Sequence, residues 1–129
     1  MCSLYKQNMR SYNEIKYNTE VIHMKYSEFK KLLEERLGGY EVFMMKAEEF
    51  QLVKNKARSG KAKWNENKVQ RAIDAMWEQA AQNIYQTVKS MDKIPGKRSL
   101  NPYADWVNFM EKRNLFELLS ESLAEVEME

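Results

Sequence analysis

The chain is poor in the side chains on which most enzymes rely. Its 129 residues include one cysteine, Cys2, one histidine, His23, four glycines and two prolines. A single thiol closes no internal disulfide, which fits a reducing compartment. A Ser-His-Asp triad or a Cys-His dyad needs an imidazole near neutral pH, and only His23 could supply one. Zinc takes Cys and His ligands at close spacing, and the rest of the chain holds neither type. Phosphate-cradling glycine loops are missing too, since Gly38-Gly39 leads into Tyr40 and not into a Lys-Ser/Thr pair that opens a helix. No apolar run reaches the ~18 residues of a membrane span, and no charged, apolar and small tripartite N-terminus marks a secretory signal. The expectation is a cytoplasmic, non-enzymatic protein with no cofactor, no metal, no membrane partner and no small-molecule substrate.

Carboxylates are the chemistry that remains. Glu34-Glu35 and Glu48-Glu49 could hold a hard cation, but neighbours on a helix diverge by about 100° and these pairs interleave with Lys30, Lys31, Lys46 and Lys54. A solvated face is the expected outcome.

Cys2 and His23 both precede an internal methionine, Met24. Thr19-Glu20-Val21-Ile22-His23-Met24 can be encoded as ACG-GAG-GTA-ATT-CAT-ATG, which places GGAGG roughly eight nucleotides before an ATG, as in a bacterial ribosome-binding site. Before Met24, residues Tyr5, Met9, Tyr12, Ile15, Tyr17 and Val21 follow no sustained period; after it, strong periodicity begins. Residues 1–23 therefore read as an irregular arm, disordered or untranslated, and residues 24–129 as one helical domain of common size. Such a product suits a bacterial or phage genome.

Leu, Met, Phe, Trp and Tyr are plentiful, so the chain lacks the composition of a disordered segment. Ser27 is a candidate N-cap, followed by Phe29, Leu32, Leu33 and Leu37 at helical spacing until Gly38-Gly39. A second helix from near Tyr40 carries Phe43, Ala47, Phe50 and Val53 on one stripe, with Val42 and Met45 beside it, until Ser59-Gly60. The Gly-Gly turn suggests that these two form an antiparallel hairpin. Asn65 caps a long helix in which Val69, Ile73, Met76, Trp77, Ala80, Ile84, Val88 and Met91 keep the pattern. Asn101-Pro102 opens another, with Tyr103, Trp106, Val107 and Met110. Asn114 breaks it, and Phe116, Leu119, Leu123 and Val126 make the seam of the last. No segment alternates like a strand and nothing repeats, so the fold class is all-α, a small bundle of about five helices.

Charge is unevenly spread. Between Lys54 and Arg98 eleven basic residues face four acids, whereas from Ser99 onward two basic residues face seven acids. Lys54, Lys56, Arg58, Lys61, Lys63, Lys68 and Arg71 surround Trp64, whose ring could stack on a base or simply pack ahead of the Asn65 cap. That stretch is the candidate nucleic-acid site, although no helix-turn-helix accompanies it. In the last segment Glu117, Glu121 and Glu125 repeat at i, i+4 and i+8, where like charges oppose an isolated helix. It should need an apolar surface with a basic rim, either the chain's own basic centre or another macromolecule. Trp77 and Trp106 read as core, and Met44 and Met45 as core filler or an adaptable partner surface. The expected function is binding of protein, by a partner or by self-association, as an adaptor, inhibitor or structural component; the alternative is binding of nucleic acid. Intact-mass spectrometry of the natively expressed product checks the arm: translation from Met24 is expected, and a product that starts at Met1 overturns it.

Overall fold

A computed structural model describes residues 23–96 and 98–128. They form five α-helices with no strand among them: α1 (Tyr26–Arg36), α2 (Gly39–Lys56), α3 (Glu66–Lys89), α4 (Pro102–Lys112) and α5 (Leu115–Glu125), with a 3-10 turn at Gly60–Ala62. The chain is an all-α bundle. Apart from His23, the expected arm lies outside the described residues. None of the helices is long and apolar enough to cross a membrane.

The longest helix, α3, is the spine. Asn65 caps it as expected, its Oδ1 accepting the Lys68 N–H at 2.9 Å. Val69, Ile73, Trp77, Ala81, Tyr85 and Val88 then recur every three or four residues and are all buried. Ala81 and Tyr85 join the expected stripe, while Met76, Ala80 and Ile84 are half-buried beside it. Helices α1 and α2 both pack on α3, α2 also bears α5, and α4 closes against α5.

An aromatic cluster joins the start of the described chain to α3 and α4. The Phe29, Tyr85 and Trp106 rings lie 5.3 to 5.8 Å apart between centroids, and His23 meets Trp106 edge-on at 5.8 Å. The Tyr85 hydroxyl donates to the Met24 carbonyl at 2.7 Å, and Met24 itself is buried. On the other side, Trp106 Nε1 donates to the Pro95 carbonyl at 3.2 Å, which ties the loop before α4 to the core. Asn101 caps α4 through the Ala104 N–H, and Asn114 adopts the left-handed φ of 59° that separates α4 from α5.

Four local expectations change. The first helix starts at Tyr26, with Lys25 and not Ser27 in the capping position, because burial of Met24 fixes the approach and the Phe29 N–H closes the first turn on the Lys25 carbonyl at 2.9 Å. Helices α1 and α2 do not pack on each other as a hairpin; each packs on α3 instead. Val53 faces solvent, because Phe43, Ala47 and Gln51 form the buried stripe of α2 at a spacing of four and turn Val53 away. Tyr103 is exposed as well, since Trp106 and Met110 alone carry the fully buried side of the short α4.

Gly38-Gly39 is not a left-handed helix stop. Gly38 has ordinary right-handed angles, φ −60° and ψ −28°, and Gly39 is the first residue of α2. The glycine that matters is Gly39, whose N–H donates to Ser120 Oγ at 2.7 Å and whose Cα lies so near α5 that a Cβ would strike the Ser120 carbonyl. We expect Gly39→Ala to lower unfolding free energy by about 1–3 kcal/mol through overpacking. Gly38→Ala should be neutral or slightly stabilising, as its added methyl meets only Ser120 Oγ, at 3.8 Å. Urea unfolding of the two variants checks the contrast.

Candidate functional site

Two exposed surfaces stand out among the described residues, and the first is the basic corner where α2 turns into α3. Gly60, at φ 59°, lets the chain reverse, and Asn55 clamps the returning segment at Trp64. The Asn55 Oδ1 accepts the Trp64 N–H at 2.8 Å and its Nδ2 donates to the Trp64 carbonyl at 3.0 Å, so one side chain replaces two backbone partners. Trp64 is half-buried against the core. The Arg58 guanidinium lies 3.6 Å over its ring centroid and also donates to Asn55 Oδ1 at 3.3 Å, while Lys68 Nζ approaches the same ring at 5.0 Å. Lys56 and Lys63 wall an adjacent cleft of about 340 Å³ with Leu52, Val53 and Asn55.

The remaining candidate cations are exposed at the margins. Lys61 stands on the 3-10 turn, Arg71 lies one turn beyond Lys68, and Lys54 leans over the Phe50 ring at 5.2 Å. None of these seven is ion-paired among the described residues, whose ion pairs are Lys30–Glu78 and Arg36–Glu111. Glu48 and Glu66 line a cleft of about 300 Å³ that also borders Trp64.

The candidate protein-binding seam on α5 is largely spent inside the bundle. Leu123 is buried, Phe116 and Leu119 are half-buried against the core, and the neighbouring Leu115, absent from the expected seam, is buried too. Val126 is exposed at the helix end; Glu117, Glu121 and Glu125 face solvent. The docking surface is α2 and not the basic corner. Lys46 Nζ donates to the Ala124 and Val126 carbonyls at 2.7 and 3.0 Å, satisfying acceptors at the negative end of α5 and offsetting its acidic repeat. Arg36 stacks 4.0 Å over Phe116. Leu119, Leu123 and Val126 still form one wall of a groove of about 280 Å³, opposite Phe43, Ala80 and Ile84.

The second surface is the outer side of α2, where Val42, Met45, Leu52 and Val53 are 37 %, 68 %, 51 % and 63 % exposed. With Lys46, Glu48 and Glu49 they line an open groove of about 500 Å³. Periodicity does not mark Leu52 and Val53 as a surface, but a signal is present in the sequence. Apolar residues at 42–45, 50, 52 and 53 are too many for one ~100° stripe, so some have to face outward.

Among the described residues no three of His, Cys, Asp and Glu converge. Burial, aided by Lys89, pushes the His23 imidazole down, and its buried Nδ1 has no partner among the described residues. Lys30 lies 2.8 Å from Glu78, and that hydrogen bond holds the ammonium above and the carboxylate below their ordinary ranges. A carboxylate held low contributes stability above its unfolded pKa and loses it as pH falls through its folded one. Glu78→Gln should therefore lower the melting temperature slightly at neutral pH, and the difference from wild type should close on titration to about pH 2. A difference that persists in acid would assign the effect to packing. In comparisons with known proteins, the chain matches no family model, no curated protein and no solved structure.

Proposed function

We propose that the chain is a non-enzymatic helical protein-binding module, serving as an adaptor, inhibitor or structural component, and that its contact surface is the outer side of α2. The observation that carries this reading is the exposure of Val42, Met45, Leu52 and Val53 along one helix. A contiguous row of large apolar side chains costs free energy in water, and a partner that covers it removes that cost. Met45 is unbranched and adapts its shape, which suits a central contact.

Charges flanking the row describe the occupant. Glu41 precedes Val42, Glu48 and Glu49 lie at the middle of the row, one turn from both Met45 and Leu52, and Lys56 and Lys63 flank Leu52 and Val53 at the far end. The partner is an amphipathic segment of another protein with basic residues opposite the middle of the row and acidic residues beyond Leu52 and Val53. A second copy of this chain fits less well, because an antiparallel α2 pair that sets Met45 against Leu52 also sets Glu48 against Glu49.

Photo-cross-linking residues placed at positions 45 and 52, with a control at exposed Thr87 on α3, test this in the source cell. The same protein should be captured from 45 and 52 and not from 87, and Leu52→Glu should abolish capture from 45 with the helical circular dichroism unchanged. Capture of the chain itself, with a dimer in sedimentation, would replace the proposed partner by a second copy. Equal labelling from all three positions would reject the surface.

A further inference from the structure

Lys56 and Lys63 flank the exposed row of α2, but Arg58, Lys61, Lys68 and Arg71 line neither of its clefts and call for an explanation that the outer side of α2 does not provide. Lys56 and Lys63 share one cleft, Arg58 and Lys68 share the Trp64 ring, and Lys61 and Arg71 extend the group on either side. Elsewhere in the fold several cations find acceptors: Lys30 meets Glu78, Arg36 meets Glu111, Lys46 meets two carbonyls and Arg113 meets the Asp92 carbonyl. At the corner they repel one another with no ion pair among the described residues. The group is also held in place, since Asn55 fixes the Trp64 backbone and Arg58 together, so less conformational entropy is lost when a ligand arrives.

We infer that this corner binds the phosphate backbone of double-stranded nucleic acid, by charge and without reading sequence. Trp64 decides between duplex and single strand. Arg58 lies 3.6 Å over its ring centroid, where a stacked base would have to lie, so the corner lacks the bare aromatic platform on which single-strand binders hold bases. This revises the expectation that Trp64 could stack on a base: the ring orients cations instead. Glu48 and Glu66, on the cleft that also borders Trp64, repel phosphate there, so contact falls to the exposed cations, none of which lines that cleft. The inference does not depend on what the outer side of α2 holds.

Fluorescence anisotropy with a labelled duplex of about 20 base pairs tests it on the full chain, with no second protein present. Engagement of about four phosphates gives a slope of log K against log salt near −3 to −4. The Lys61→Gln/Lys63→Gln variant, changed at two exposed positions, should flatten that slope by about 2. Trp64→Phe should keep duplex binding, and Met45→Gln should leave it unchanged. Any of three results overturns the inference: no duplex binding at low salt, a slope indifferent to the double substitution, or equal binding of duplex, single strand and heparin.

Discussion

The bundle depends on the stacking of Tyr85, on α3, with Phe29 of α1 and Trp106 of α4. Three elements distant in sequence converge there, and the Tyr85 hydroxyl, buried and spent on the Met24 carbonyl, leaves that ring one orientation. With the far half of α3 covered by α1 and by the Trp106 ring of α4, its near half around Val69, Ile73 and Trp77 remains for α2. Phe43 and Tyr40 meet Trp77 at 5.7 and 4.7 Å, which sets the rotation of α2. Once α2 is turned so that Phe43, Ala47 and Gln51 face inward and α5 covers its flank, its outer side is left exposed among the described residues. The exposed row of Val42, Met45, Leu52 and Val53 is thus a geometric consequence of how the core is closed.

The features legible in the sequence are those that local rules decide. The caps at Asn65 and Asn101, proline at the start of α4, the left-handed Asn114 and the long stripe of α3 each depend on neighbours within one turn or on one period. The role of Gly39 is not local, because its constraint lies on α5, in contact with Ser120, eighty-one residues away. Val53 departs from its stripe because Gln51, a polar residue, takes the inward position and donates there to Met76 Sδ at 3.2 Å, a weak bond that periodicity does not anticipate. At the corner, composition reveals the charge. It does not reveal that Asn55 clamps Trp64 or that Arg58 covers its ring, since both depend on the exact return of the chain after Gly60.

The acidic helix α5 could in principle have neutralised the basic corner, and the geometry shows why it does not. Ser120 meets Gly39, and Ala124 and Val126 meet Lys46, so the hydrogen bonds from α2 to α5 come from its first and eighth residues. From Lys46 to Lys56 is ten residues, or about 15 Å of helix. That is roughly twice the Debye length at physiological ionic strength, so Glu117, Glu121 and Glu125 are screened from the cations around Trp64. Nor do those glutamates enter an ion pair with the corner among the described residues. The chain's formal net charge of +2 therefore conceals two regions of opposite sign that act separately. On the readings proposed above, a ligand at the corner would meet a positive potential offset locally by Glu48 and Glu66 but not by α5, and a partner on α2 would lie between the two regions and be oriented by both.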